Sequence, residues 1–269
     1  DTLRKLVKRL GEPVVRTVAG QAMKEMGRQF VLGRTIEEAQ DRGKSQEERG
    51  YTYSYDMLGE AARTDADAQR YYQAYSDAID SISKRCKGDV RTNPGISVKL
   101  SALLARYEYG HKERVMNELM PRALKLARKA AAANMGFNID AEEQDRLDLS
   151  LDVIEAILSD PELKDWQGFG VVVQAFGKRA SQTLDWLYAL SEKLDRRIMV
   201  RLVKGAYWDA EIKRAQVMGL SDFPVFTRKA CSDVAYLAGA RKLLAMTDRI
   251  YPQFATHNAH SVSAVLELA

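Results

Sequence analysis

The sequence predicts an α/β protein built as a (β/α)8 TIM-like barrel, incomplete at its C-terminal end and preceded by a short helical segment. Three observations carry this. From residue 51 onward, short β-type runs alternate about six times with long amphipathic helical patterns, as parallel strands with helical crossovers do. No run is followed by a G-x-G-x-x-G turn, which weighs against an open dinucleotide-binding sheet. Nearly every run ends in polar side chains: Asp56, Lys99, Asp140, Gln174, Arg201 with Lys204, and Thr256, His257 and Asn258. A barrel gathers its strand C-termini around one mouth, so a whole series of polar ends reads as a site.

The elements follow in order. Residues 2–10 carry apolar positions at helical spacing, with Gly11 as a stop. Pro13 suits a first helical turn, and the helix it opens runs to about residue 32, ended by Gly33. Thr35 and Glu38 form a Thr-x-x-Glu capping box that opens a short polar helix. That helix ends in the charged stretch 41–50, the best linker candidate. The chain thus divides into a helical segment with linker over 1–50 and a barrel over 51–269. Strands are expected at 51–58, 95–100, 136–140, 168–176, 197–205 and 251–258. Helices are expected at 64–87, 112–133, 142–158, 181–194 and 227–246. A closed barrel needs about eight strands. The sequence stops at LELA, inside a helical pattern, so the last two β/α units are expected to lie outside it.

Composition narrows the function classes. The 269 residues are 46% hydrophobic and 29% charged, enough for a large core. The net charge is +4 with both signs interspersed, so no nucleic-acid contact is expected. Cys86 and Cys231 are far apart and lack metal-ligand spacing, which favours a reduced, cytoplasmic setting. No secretory signal and no run long enough to span a bilayer is present, which leaves peripheral contact with a membrane open.

The strand ends carry the chemistry. Asp140 is either a helix N-cap or a site carboxylate, and both roles can coexist. Arg201, inside an apolar strand, needs an acceptor because a buried unpaired guanidinium is costly; Asp140 is its expected partner. Such a pair is either structural or fixes positive charge beside a ligand. Lys99 is an anion clamp, a Schiff-base former if its pKa is lowered, or a residue that snorkels to solvent. The Gln174 amide suits the edge of a heterocycle. Tyr207 and Trp208 suit a planar ligand, or pack helix on barrel. Thr256, His257 and Asn258 precede a helix and suit a phosphate. His257 and His260 find no third ligand, so no metal is expected.

The collinear motifs YSYDMLGEAA, PGISVKLSAL, NIDAEEQDRLD, VVVQAFGKR, RLVKGAYWDAEIKRAQ, FPVFTRKA and IYPQFATHNAHS run from about residue 51 to the chain end. They resemble the proline dehydrogenase domain of the bacterial bifunctional flavoenzyme family proline utilization A. The resemblance implies a distorted barrel holding non-covalent FAD. It implies oxidation of L-proline to Δ1-pyrroline-5-carboxylate, with electrons passed to a membrane quinone at the inner membrane. It assigns Lys99 to the proline carboxylate, Asp140 to the active site near Arg201, and Tyr207 to the substrate ring. Glu60 becomes a gate partner for an arginine on the last barrel helix. Flavin contacts are implied for Gln174, Arg201, Val203, Gly205, Ala206 and Trp208. Phosphate or adenosine contacts are implied for Thr227, Arg228, Lys229, Thr256, His257 and Asn258. Arg201 is expected near the flavin N5, oriented by Asp140, and Gly205 is expected to let the backbone approach the cofactor. The family's arginine pair for the proline carboxylate, a further active-site tyrosine and its aldehyde dehydrogenase domain have no counterpart in the sequence. From the residues alone, a Schiff-base lyase or aldolase using Lys99 or Lys204 stays open. So does a non-catalytic truncated barrel fragment.

Overall fold

The computed structural model describes residues 2, 5, 11–28 and 30–269. The helix expected over 2–10 falls, but for positions 2 and 5, outside the described residues. The chain forms two compact units, Asp1–Tyr53 and Ser54–Ala269.

In the first unit, α1 (Glu12–Gly27) has Pro13 in its first turn and ends earlier than the expected residue 32. Helix α2 (Ile36–Glu47) is capped by Thr35, whose side chain accepts from the Glu38 amide at 3.2 Å. The Glu38 carboxylate reaches back to the Arg34 amide at 3.0 Å, one residue beyond the cap, so the expected box is only half formed. The charged stretch 41–50 is helical through Glu47 rather than a linker. Arg42 explains this, because its guanidinium donates to the carbonyls of Arg28, Val31 and Leu32. Those three oxygens would otherwise depend on water, so the charge tethers the segment.

The second unit holds one sheet of six strands, all parallel. They are β1 (Ser54–Asp56), β2 (Gly95–Val98), β3 (Gly136–Ile139), β4 (Phe169–Gln174), β5 (Ile198–Val203) and β6 (Ile250–Phe254). Their spatial order is their chain order, β1 to β6. A doubly wound sheet would reverse direction at a switch point, whereas a barrel adds each strand beside the last. Between the strands run α3 (Asp65–Ser83), α4 (Met120–Ala132), α5 (Leu147–Leu158), α6 (Ala180–Lys193), α7 (Trp208–Val217) and α8 (Lys229–Leu244), with α9 (Ala259–Leu268) after β6. The helix expected at 112–133 passes through a π-type turn at Val115–Leu119. Helix α3 starts on a complete capping box, Thr64 with Asp67.

Strand residues Ile96, Val98, Phe137, Ile139, Val171, Ile198, Val200 and Leu202 are buried. They read as continuous apolar runs because helices cover the outside of a parallel sheet while side chains fill its inside. Ile79, Val153, Ile157, Leu184, Leu187 and Leu243 are among the buried helix positions. Each strand stops short of the expected end. Lys99 and Asp140 follow directly on their strands, whereas Asp56 and Gln174 are the last paired residues of theirs; together they form the rim.

The sheet is curled, and one side chain demonstrates it. Arg201 on β5 donates to Ser97 Oγ of β2 at 2.9 Å and to Ser54 Oγ of β1 at 3.0 Å. In a flat sheet β5 and β1 would lie about 19 Å apart, four strand spacings, beyond any side chain. Only closure around an interior lets one guanidinium reach both.

Leu187→Ala removes a side chain with no exposed surface from the α6 face. It should lower unfolding free energy by about 2–5 kcal/mol. Urea denaturation checks this as a lower midpoint with an unchanged slope.

Candidate active site

The strand ends converge on one cleft of about 570 Å³, lined by Asp56, Lys99, Asp140, Ala141, Val172, Gln174, Arg201, Val203, Lys204, Gly205, Ala206, Tyr207, Lys229, Ala255, Thr256, His257 and Asn258. That volume suits a small ligand or part of a cofactor. The period of two explains how β-strands aim them. Ser54 shares a face with Asp56, Ser97 with Lys99, Asn138 with Asp140, and Val172 with Gln174.

Lys99 lies at the centre. Its Nζ donates to Asp56 Oδ1 at 2.8 Å and to Asp140 Oδ2 at 3.0 Å. Its backbone amide donates to the Tyr75 hydroxyl at 3.3 Å, whose pKa burial pushes up to about 12. Burial alone would pull the Lys99 pKa down. The Asp140 charge and the bonds from both carboxylates outweigh it, so the ammonium is held charged. That disfavours the Schiff-base role, which needs a neutral amine. Burial raises the Asp140 carboxyl, and the Lys99 charge opposes it only in part.

Asp140 therefore pairs with Lys99, not with Arg201 as expected, and it does not cap a helix: the next helical turn starts at Gln144, after Glu143. Arg201 finds neutral acceptors instead, Ser97, Ser54 and, at 3.3 Å, Gln253 Oε1 of β6. Burial pulls its pKa down, but an arginine keeps its proton at working pH. The result is a half-buried positive charge with no carboxylate in hydrogen-bond contact. Lys204, on the other strand face, is drawn outward to Asp233 and lies over the Tyr236 ring.

A belt of hydrogen bonds fixes the rim. Ala61 N–H donates to Ser101 Oγ at 2.9 Å, and Ser101 N–H to Glu142 Oε1 at 3.0 Å. Gln174 Nε2 donates to the Glu142 carbonyl at 2.8 Å, and Ala206 N–H to Gln174 Oε1 at 2.9 Å. Tyr207 OH donates to Glu60 Oε2 at 2.6 Å, which returns the belt to the loop after β1. Each end of the Gln174 amide thus holds one backbone group, and the residue lines the cleft. Burial and the Glu60 bond raise the Tyr207 pKa, so the hydroxyl stays protonated. Tyr207 sits in the left-handed region at φ 64, a strained place for a tyrosine, at the start of α7.

Gly205 has φ 139, and a Cβ there would meet the Phe176 ring at 2.5 Å. That ring and that backbone angle constrain it, and it lines the cleft. Trp208, Thr227, Arg228 and Glu60 are not part of the cleft wall. The Trp208 indole donates to the Phe226 carbonyl at 2.8 Å. Arg228 precedes α8, and Lys229 reaches the wall with its charge met by Asp233 at 2.6 Å. Asn258 caps α9 by accepting from the Ser261 amide at 2.9 Å. Among the described residues no group of three or more His, Cys, Asp or Glu could hold a metal, and no helix is long and apolar enough to cross a membrane.

Sequence reasoning gave no role to Ser54, Ser97, Gln253, Ser101 or Glu142, and left Asp56 without a partner. The signal for Ser54 and Ser97 was present: each stands two residues before a rim residue, hence on the same face.

Gly205→Ala should cost at least about 2 kcal/mol, through the ring overlap and the backbone angle. Thermal unfolding of the variant checks this; an unchanged Tm contradicts it.

The proline dehydrogenase family matches residues 39–269. The chain is 52% identical, over 269 residues, to the bifunctional protein PutA of Escherichia coli (strain K12), covering 100% of this chain and 20% of that protein. It is 53% identical over 266 residues to that of Rhizobium meliloti, covering 98% of this chain and 21% of that protein. It thus spans about a fifth of the length of these curated relatives. A crystal structure of a proline utilization A mutant from Bradyrhizobium japonicum superposes with a TM-score of 0.86 at 58% identity, over 98% of this chain and 27% of that one. Proline utilization A from Bdellovibrio bacteriovorus, inactivated by N-propargylglycine, gives 0.89 at 28% identity, over 95% of this chain and 28% of that one.

Proposed function

The chain belongs to the proline dehydrogenase family, and from that premise we propose that its cleft oxidises L-proline to Δ1-pyrroline-5-carboxylate with FAD as the electron acceptor. The observation that carries this is the pairing of two unlike cations on one cleft, Lys99 among carboxylates and Arg201 among neutral acceptors.

The residues present fit FAD. Arg201 faces the cleft with positive charge that no carboxylate bonds, which suits a ring system that becomes anionic on reduction. The N-terminus of α9 and Lys229 on the same wall suit phosphate. Arg201, Val203 and the Gly205–Ala206 backbone would hold the flavin, while Lys229, Thr256, His257 and Asn258 would hold the phosphates. When bound, FAD supplies the acceptor for the hydride from the proline ring.

The chain's own residues supply position and charge. The Lys99 ammonium has a third N–H beyond its two bonds, and it takes the proline carboxylate. Asp140 keeps Lys99 in place and charged. Tyr207 closes over the ring with its hydroxyl anchored on Glu60, so an apolar face rather than a proton donor meets the substrate. Gln174 holds the Ala206 amide and so fixes the backbone beside the cofactor. Proline with its amine neutral gives up one hydride from its ring carbon and one proton from nitrogen to solvent, which leaves the ring imine.

The curated relatives are bifunctional and about five times longer, which supports a module over 51–269 working beside an aldehyde dehydrogenase domain. Electrons then leave to a membrane quinone, from a cytoplasmic protein that touches the inner membrane peripherally.

The purified protein should show flavin absorbance that L-proline bleaches without oxygen; absence of bleaching overturns the proposal. Lys99→Ala should raise the KM for proline on the order of tenfold or more while FAD content holds. Arg201→Met should lose FAD or shift the flavin potential, and unchanged content, potential and turnover would contradict its role.

A further inference from the structure

The cleft divides its charges unequally. Asp56 and Asp140 both bond to Lys99, and no carboxylate bonds to Arg201. Distance along the sheet does not explain this. Asp56 stands directly opposite Ser97 in the β1–β2 register, and Ser97 is itself a partner of Arg201. A guanidinium grips a carboxylate with two parallel N–H groups, and that is its strongest side-chain bond. Here the two prongs close on hydroxyls instead. Nη1 donates to Ser97 Oγ at 2.9 Å and Nη2 to Ser54 Oγ at 3.0 Å, and the two oxygens lie side by side, 3.5 Å apart. Nε donates to Gln253 Oε1 at 3.3 Å, so the third partner is neutral as well.

This arrangement fixes direction without removing charge. Of the five N–H groups of the guanidinium, three are bonded and two have no acceptor among the described residues. The side chain lines the cleft, where those two are left for a ligand. A carboxylate at either serine position would hold the arginine more tightly and offset its charge at contact distance. Hydroxyls are weaker partners, and they leave the charge to act on whatever occupies the cleft.

We propose that Ser54 and Ser97 are a positioning pair for the electron acceptor: together they receive the Arg201 fork as a carboxylate would, but without the charge, so that a fixed and uncancelled cation raises the reduction potential of the flavin. The inference rests on the proposed function, in which Arg201 meets the flavin ring.

Ser54 is exposed and accommodates a longer side chain, whereas Ser97 is buried. The test therefore uses the FAD-loaded protein with Ser54→Asp, with Ser54→Asn, and with Ser54→Ala and Ser97→Ala together. The midpoint potential is read without oxygen against a reference dye. At the wild-type midpoint, Ser54→Asp should lower the ratio of reduced to oxidised flavin about tenfold or more, which is ~30 mV for two electrons. Ser54→Asn keeps a neutral acceptor and should match the wild type. The double alanine variant frees the guanidinium to move toward Asp56 and Asp140, whose charges already act on it, and should lower the ratio too. It decides if Ser54→Asp fails to hold FAD. A purely structural pair would lower Tm in these variants and leave the potential where it is. An unchanged potential throughout, or equal shifts with aspartate and asparagine, overturns the proposal while L-proline still bleaches the wild-type flavin. A wild-type protein that takes up no flavin sinks the proposed function itself, and this inference with it.

Discussion

A charged guanidinium in the middle of a barrel is the constraint on which the second unit depends. The Arg201 guanidinium is half-buried, so the part of it withdrawn from water needs protein acceptors in place of lost hydration. It finds them on three other strands, in Ser54, Ser97 and Gln253. Those acceptors are short or neutral, so they hold the cation without cancelling it. Satisfying one side chain therefore curls the sheet and leaves a positive charge facing the cleft. Lys99 works the other way: its charge is surrounded by carboxylates and directed at a single remaining N–H.

Around these two cations the rim is stiffened by bonds that mostly involve backbone. Ser101, Glu142 and Gln174 bond to backbone and so help to set where the rim loops and Ala206 stand. Glu142 is buried enough that burial raises its carboxyl pKa, while the Ser101 amide and Arg146 keep it engaged. Such buried polar networks specify one arrangement more than they add stability. The link between Tyr207 and Glu60 is different in kind. Both side chains sit at the outer margin, and the bond spans the mouth between the first and fifth loops. A strained backbone at Tyr207 and a positive φ at Gly205 keep that loop folded inward.

The alternation of strands and helices, and with it the barrel class, was legible because parallel strands covered by helices leave a strong apolar rhythm. The rim was legible in outline, since a polar residue at the end of each apolar run stands out. Partnerships were not. Asp140 was assigned to Arg201 because opposite charges attract, but register places Lys99 on the neighbouring strand and Ser97 beneath it. Neutral acceptors such as Ser54 carry no conspicuous sequence signal, and only closure of the barrel brings a residue 147 positions away within reach. The reason for Gly205 lay in Phe176, a contact no local pattern announces. Arg42 turned a charged stretch into ordered helix by collecting carbonyls whose positions depend on the preceding turn.

A double-mutant cycle between Arg201→Met and Ser97→Ala, read by chemical denaturation, tests most directly whether the guanidinium is held across the barrel interior. Residues 104 positions apart on non-adjacent strands share energy only if the sheet closes around them. The two changes should be non-additive by about 0.5–3 kcal/mol. Strict additivity would mean that Arg201 and Ser97 do not meet, and the convergence of the strand ends on one cleft would fall with it.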